Sequence, residues 1–204
     1  MINRGEFLEL LASKVDYNTS VYFVPALSGL FAPRWREDAC GYGINRHFLF
    51  IFLLNENMFF FSHHRVIVGL TQFADKNHIC RAALEGVCFQ TKEVIDAMEQ
   101  DSGEKLRGLK VDGGLTSSNT CMQIQSDLLN VPIHRPQMKE MTALGAAILA
   151  GLAVGVWPSI DDLVLQQTMQ EFTPKMTPED RLARVAGWER AVKASLDMVS
   201  KAVV

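Results

Sequence analysis

The sequence lacks the features that mark several broad classes of protein. Its four cysteines include no Cys-x-x-Cys pair and no spacing typical of zinc ligands. No block of basic residues occurs, and the net charge is −3. These absences argue against a disulfide framework and a zinc module, and against nucleic acid or an anionic membrane surface as a partner.

Long apolar runs are also missing. The runs at 47–54 and 143–154 hold roughly a dozen residues or fewer, whereas a transmembrane helix needs ~20. The first residues lack the apolar core and the small-residue cleavage site of a signal peptide. Cys80, Cys88 and Cys121 fall in apolar helical patterns and are predicted to be reduced core thiols. We therefore expect a cytoplasmic protein without a transmembrane segment.

Short apolar runs alternate with amphipathic stretches along most of the chain. The strand candidates are 21–24, 66–70, 109–111 and 131–134, and the helix candidates are 7–14, 75–100, 118–130, 143–154 and 178–199. The strand at 131–134 is expected at a sheet edge, because Pro132 near its start cannot donate a hydrogen bond. Strands and helices in alternation indicate the α/β class.

Three of the predicted helices carry expectations about burial. The helix at 75–100 begins at a cap, Asp75 or Asn77, and should bury the face formed by Ile79, Ala83, Val87, Val94 and Met98. The helix at 143–154 consists almost entirely of small and apolar residues and should be buried on all sides. The last helix has an apolar stripe that must cover something, formed by Leu182, Val185, Trp188, Val192, Leu196 and Val199.

A glycine pair at the centre of the chain is the main candidate site. The strand at 109–111 ends at Asp112, and Gly113 and Gly114 then allow positive φ and close approach of the backbone to a ligand. Ser117 or Ser118 can cap the next helix, whose free N–H groups and positive dipole end would face a nucleotide. The spacing fits neither G-x-G-x-x-G nor a phosphate loop. A tight structural turn is the alternative interpretation.

Residues 42–65 differ from the rest of the chain. They hold six of the twelve phenylalanines and show neither helical nor strand periodicity. His63 and His64 are adjacent, but no third ligand suggests a metal site. We interpret the segment as an insertion that derives from a retained intron, with a true surface insertion as the alternative.

Several stretches together resemble the C-terminal part of the glycerol kinases, within the FGGY carbohydrate kinase family. The stretches that carry the resemblance are 21–33 followed by Trp35, 66–93, 111–116, 123–128 and 142–147. They occur in the order typical of that family and cover nearly everything outside 42–65. Joining Gly41 directly to Val66 also restores the continuity of the family pattern.

The resemblance implies an α/β fold of the ribonuclease H-like, actin-like ATPase type, with this chain as the C-terminal lobe. Residues 1–155 would form the FGGY kinase C-terminal domain, and 156–204 would be a helical extension of it. The implied function is ATP-dependent phosphorylation of glycerol to glycerol 3-phosphate, with Mg²⁺. Gly113 and Gly114 would lie against the adenosine side of ATP. Ser118 stands where bacterial relatives have an asparagine that contacts adenine.

The resemblance also implies what this chain does not contribute. The family's phosphate loop, its glycerol ligands and its Gly-Asp-Gln segment have no counterpart in these 204 residues. We therefore expect no catalytic and no metal-binding residue here, with the glycerol and magnesium sites in an N-terminal domain, and no turnover by the chain alone. The alternative is a non-catalytic module that binds a partner or a second copy of itself through its C-terminal helix.

Overall fold

The computed structural model describes residues 4–15, 20–26, 29–36, 66–138, 140–160 and 168–200. The segment 42–65 and its histidine pair lie outside these residues. The helices are α1 (Arg4–Ala12), α2 (Lys76–Ser102), α3 (Asn119–Leu129), α4 (Met141–Ala153) and α5 (Pro178–Ser200). The strands are β1 (Tyr22–Val24), β2 (Val66–Val68), β3 (Leu109–Lys110), β4 (Ile133–Pro136) and β5 (Met169–Phe172).

The described strands form two small sheets. In one sheet β1 and β2 run antiparallel, with Phe23 opposite Ile67. In the other, β4 lies between β3, to which it is parallel, and β5, to which it is antiparallel. The prediction of an edge strand at 131–134 was therefore wrong. Pro132 precedes β4, and its carbonyl accepts a hydrogen bond from the Leu109 N–H at 3.0 Å. Strand β5 was not predicted, because only its last residue is buried and its burial therefore does not alternate.

The core surrounds the N-terminal half of α2, which packs against α1, β1 and α3. The ring of Phe89 stacks on Trp188 of α5, with centroids 5.0 Å apart, and lies 6.1 Å from the ring of Tyr22 in β1. The predicted apolar stripe of α5 is confirmed at Trp188 and Val192, which are both fully buried, whereas Leu182 in its first turn is exposed. The stripe thus covers the sheet formed by β1 and β2.

The buried face of α2 differs from the predicted one. Ile79 is buried, but Val87, Val94 and Met98 are exposed. The buried residues of α2 are Ile79, Cys80, Ala82, Leu84, Glu85, Gly86, Cys88 and Phe89. All of them lie in the first half of the helix, because the core surrounds only that half.

The helix α2 begins at one of its two predicted caps and ends at a glycine. Asp75 is the N-cap, and its carboxylate accepts hydrogen bonds from the N–H groups of Asn77 and His78 at 3.0 and 3.1 Å. Gly103 ends the helix in the left-handed conformation, with φ 74°. These termination signals are local, and the residues that carry them are close in sequence.

One carboxylate is buried with two arginines in the core. Glu85 is 1% exposed, and its oxygens lie 3.0 Å from Arg81 Nε and 2.5 Å from Arg184 Nη2 of α5. Burial raises the pKa of Glu85, and the two guanidinium groups oppose that shift. Glu85 is therefore a structural ion-pair residue that holds α5 against α2.

The apolar helix α4 is not buried, so that prediction was wrong. No residue of Met141–Ala153 is buried, and Leu149 is 67% exposed. Among the described elements, none packs extensively against α4. Composition alone predicted burial, but burial also needs a covering element, and the described chain supplies none. No helix of the described residues is long and apolar enough to cross a membrane.

The cysteines of the described residues are free thiols, as predicted. Cys80, Cys88 and Cys121 are all buried. The sulphur atoms of Cys88 and Cys121 lie 3.6 Å apart, where α2 and α3 meet. Burial raises the pKa of Cys80 to about 11, so this thiol stays protonated and unreactive near neutral pH.

Candidate functional site

The glycine pair lies in the turn between β3 and α3. Gly113 has φ 93°, and Gly114 begins a 3₁₀ turn, Gly114–Ser117, that leads into α3. Gly114 itself is not in the left-handed region. The turn therefore requires the conformational freedom of glycine at Gly113 only, and not at both positions.

The space around the glycine pair is open. A Cβ atom placed on Gly113 or on Gly114 would meet no atom of the described residues within 4 Å. Elsewhere the chain uses glycine for close packing: a Cβ on Gly86 would lie 2.3 Å from the Phe23 carbonyl oxygen. Within the domain, neither φ nor packing explains why residue 114 lacks a side chain.

Hydroxyl groups tie the turn to its own backbone. Thr116 Oγ1 donates to the Gly113 carbonyl at 2.7 Å, and Ser117 Oγ donates to the Gly114 carbonyl at 2.6 Å. The Thr116 N–H also donates to the Gly113 carbonyl, at 3.1 Å. The carbonyl groups of both glycines are thus hydrogen-bonded inside the turn, which holds this backbone in one shape.

Ser118 is the N-cap of α3, one of the two caps that the sequence suggested. Its hydroxyl accepts a hydrogen bond from the Cys121 N–H at 2.9 Å and donates to the carboxylate of Glu9. The residue is 8% exposed. The single donor of this hydroxyl is thus occupied while it can accept one further hydrogen bond, and its contact with adenine stays a prediction.

Glu9 of α1 occupies the N-terminus of α3. Its Oε1 accepts from the Thr120 N–H at 3.0 Å and from the Thr120 hydroxyl at 2.8 Å. The prediction of free N–H groups at this end was therefore wrong for Thr120 and Cys121. A carboxylate beside the positive end of the helix dipole stabilises α3 and repels a second anion from the same place. No local pattern points to Glu9, which lies 109 residues before Ser118.

Arg135 is a second residue that was not predicted from the sequence and that holds the turn. Arg135 of β4 is 8% exposed, and its guanidinium donates to the Thr116 carbonyl and to Asn119 Oδ1, the latter at 2.7 Å. The turn and the first residue of α3 are thereby joined to the central strand of the second sheet. Among the described residues no group of three His, Cys, Asp or Glu side chains could hold a metal ion.

Comparison with known proteins gives the family. The sequence profile of the FGGY family of carbohydrate kinases, C-terminal domain, matches residues 2–154. The glycerol kinase of Chloroflexus aurantiacus is 44% identical over 200 residues, which are 98% of this chain and 35% of that protein. The glycerol kinase of Vibrio parahaemolyticus is 47% identical over 199 residues, 96% of this chain and 34% of the relative. The chain thus spans about a third of the length of these relatives.

Solved structures agree with the sequence comparison. The Plasmodium falciparum glycerol kinase with ADP is similar at a TM-score of 0.72 and 36% identity, over 93% of this chain and 33% of that one. A xylulose kinase from Lactobacillus acidophilus, at TM-score 0.60 and 20% identity over 96% of this chain and 34% of its own, shares the fold alone. The resemblance and the actin-like ATPase fold inferred from the sequence are confirmed. This chain belongs to the FGGY family of carbohydrate kinases and contains its C-terminal domain.

Proposed function

We propose that this chain is the nucleotide-side lobe of a glycerol kinase, which transfers the γ-phosphate of ATP to a hydroxyl group of glycerol. The two relatives compared above at 44% and 47% identity are glycerol kinases, and a third glycerol kinase was solved with ADP. The observation that carries the proposal is Gly114. Its φ does not require glycine and no described residue lies within 4 Å of an added Cβ, which leaves the backbone open to an approaching ligand.

The charges around the turn favour the uncharged part of ATP. Glu9 places a carboxylate at the N-terminus of α3 and uses N–H groups that a phosphate would otherwise bind. A triphosphate is therefore disfavoured at this end, whereas adenosine carries no charge to repel. In this proposal Gly113 and Gly114 lie against adenosine, and the triphosphate extends away from α3. In this proposal the Ser118 hydroxyl keeps its present partners and accepts a hydrogen bond from the adenine amino group through its second lone pair.

The remaining groups of the reaction belong to other parts of the kinase. Phosphoryl transfer requires a base at the acceptor hydroxyl and charge neutralisation at the phosphates, which Mg²⁺ supplies when bound. In this proposal an N-terminal domain provides the base, the glycerol ligands and the magnesium site. Residues 156–204 extend the domain formed by 1–155, an assignment supported by the pairing of β5 with β4. A cytoplasmic location is supported by the unbonded sulphur atoms of Cys88 and Cys121.

Helix α4 is the surface that such an N-terminal domain would cover. None of its residues is buried, Leu149 is exposed, and the relatives are about three times as long as this chain. Contiguous exposed apolar surface of this kind marks interaction sites. The alternative function is a binding module that uses the C-terminal helix. It is less well supported, because Trp188 and Val192 of α5 are buried within the domain and cannot contact a partner.

A coupled assay of glycerol 3-phosphate formation tests the proposal. The chain is mixed with the separately purified N-terminal lobe of a glycerol kinase relative, and turnover is measured as a function of ATP and of glycerol. We expect turnover only when the lobe is present. In Gly114→Val the branched side chain fills the space for adenosine, and a conflict of ~1.4 kcal/mol raises the KM for ATP about tenfold. The KM for glycerol should stay unchanged.

Gly114→Ala and thermal unfolding are the controls. Because no atom lies within 4 Å of the added Cβ, both variants should unfold at nearly the temperature of the wild-type chain. Alanine, with its smaller side chain, should raise the KM for ATP less than valine. A folded Gly114→Val with unchanged dependence on ATP would mean that the glycine pair is only a turn. Turnover by the chain alone would contradict the assignment of the catalytic groups to another domain.

A further inference from the structure

Arg135 contacts three elements that meet at the glycine turn. Its guanidinium donates to the Thr116 carbonyl in the 3₁₀ turn, to Asn119 Oδ1 at 2.7 Å, and to Gln170 Oε1 of β5 at 2.5 Å. The same group lies over the ring of Phe172, 5.0 Å from its centroid. The side chain is therefore held on several sides, and it transmits the position of β4 and β5 to the turn.

These contacts depend on the planar shape of the guanidinium group and not on its charge. All three acceptors are uncharged oxygen atoms, so the planar fork of the guanidinium determines the arrangement. The Thr116 carbonyl belongs to a residue that is 7% exposed, and without Arg135 it would lose this buried partner. A lysine could reach one of these acceptors, but its single ammonium group cannot serve three elements in a fixed plane.

The contacts converge on the residue next to the ligand-facing backbone. Thr116 also binds the Gly113 carbonyl through both its hydroxyl and its N–H group. Its position therefore determines where the backbone of Gly113 and Gly114 lies. Glu9 binds Ser118 and Thr120 just beyond, so two charged residues from distant parts of the chain hold the segment 116–120.

We propose that Arg135 is a positioning residue for the nucleotide: it holds the Gly113–Gly114 backbone in the shape that adenosine binds, without touching the ligand. This inference rests on the proposed function. A preorganised turn binds without an ordering cost, whereas a turn released from β4 must be ordered anew each time. Loss of Arg135 should therefore weaken nucleotide binding even where the domain remains folded.

The test is an equilibrium titration of the full 204-residue chain with ADP and with adenosine, followed by ligand-observed NMR. We expect Arg135→Met to weaken binding of both ligands about tenfold, the factor that ~1.4 kcal/mol represents. Arg135→Lys should bind both ligands as weakly as Arg135→Met, because a positive charge without the planar guanidinium does not restore the three contacts. Hydrogen exchange of the amides at 113–118, measured without ligand, should be faster in both variants.

Arg181→Met is the matched control. Arg181 donates to Asn130 Oδ1 at 2.8 Å and to the Asp127 carbonyl at 3.5 Å, at the opposite end of α3. The substitution Arg181→Met thus removes an arginine with a similar set of acceptors, and it should leave the affinity for ADP unchanged. Gln170→Leu serves if Arg135→Met does not fold, because it acts on the turn only through Arg135. It should weaken binding in the same direction by a smaller factor.

The outcomes separate this inference from the proposed function. Folded Arg135→Met with wild-type affinity, alongside weakened binding by Gly114→Val, would overturn the role of Arg135 and leave the proposed function intact. Full rescue by Arg135→Lys would also overturn it, because charge alone would then suffice. Wild-type affinity in Gly114→Val, or no binding of ADP by the wild-type chain, would contradict the proposed function and this inference with it.

Discussion

Helix α2 carries charged side chains along its length, yet eight of its residues are buried, including the carboxylate of Glu85. Helix α4 carries no charged residue and has no buried residue at all. The difference lies in their surroundings: α2 is packed by α1, β1 and α3, whereas no described element packs extensively on α4. Apolar composition therefore indicates that a helix needs a cover, and tertiary contacts decide whether the same chain provides it.

The largest expected effect concerns the charged residue that α2 buries. Arg184→Met leaves Glu85 in the core with Arg81 as its remaining partner, and breaking a buried pair costs about 3 to 5 kcal/mol. Urea unfolding followed by circular dichroism measures this loss. The double variant Glu85→Leu with Arg184→Met removes both charges and should recover most of the stability. A loss below ~1 kcal/mol, the value of a surface pair, would show that the pair is not buried as described.

The stability that Arg184→Met loses should depend on pH in a defined direction. Burial already raises the pKa of Glu85 in the folded chain, and losing Arg184 raises it further. The group therefore supports folding below the pKa of an unfolded glutamate, about 4.3, and this support is lost as the pH rises through the folded value. Arg184→Met should thus be penalised less at low pH than at high pH. Equal penalties at both ends of the range would contradict this assignment.

A pair of leucine substitutions compares the two helices directly. Leu84 of α2 is 2% exposed, so Leu84→Ala should destabilise the chain by about 3 kcal/mol through the cavity that it leaves. Leu149 of α4 is exposed, and Leu149→Ala should change the free energy of unfolding by less than ~0.5 kcal/mol. Chemical denaturation of both variants measures the difference. A cost above ~2 kcal/mol for Leu149→Ala would mean that α4 is covered within this chain, since leucine-to-alanine truncations in a core start near that value.

The N-caps of α2 and α4 should differ by a smaller contribution to the free energy of unfolding. The Asp75 side chain caps α2, while Glu140 at the start of α4 makes no side-chain capping bond. Asp75→Ala should cost about 1 kcal/mol. Slight burial of Asp75 is outweighed by hydrogen bonds from His78 and Asn77, so its pKa is lowered. The capping contribution is therefore present above the unfolded pKa and lost as the pH falls through the folded one. Thermal unfolding at neutral and acidic pH checks both statements. Glu140→Ala is the control and should leave the stability unchanged.

The smallest expected effect is a gain in stability. Gly145 lies in α4, and an added Cβ there meets no atom within 4 Å. Gly145→Ala should therefore stabilise the isolated chain by about 0.5 to 1 kcal/mol, the usual helix preference for alanine. Gly86→Ala in α2 should do the opposite, because its Cβ would lie 2.3 Å from the Phe23 carbonyl oxygen. Differential scanning calorimetry resolves the two signs. Destabilisation by Gly145→Ala would show that α4 is closely packed.

Features that depend on neighbouring residues could be predicted from the sequence. The caps at Asp75 and Ser118 were each one of two predicted candidates, and the turn at the glycine pair was predicted, because each is set by residues a few positions apart. The family could also be inferred, since its motifs are local and occur in a fixed order. The stripe of α5 was correct at its centre, where periodicity alone determines which residues share a face.

Features that depend on distant residues were decided only by the tertiary structure. It placed β4 in the centre of a sheet, chose the buried face of α2 and left α4 uncovered. It also brought Glu9 to the cap of α3 across 109 residues, and Arg135 to the glycine turn. A hydrogen bond between such residues leaves no periodicity or spacing in the sequence. The sequence by itself therefore determined the type and approximate place of most elements, while the packing of the elements determined which side chains hold the candidate site.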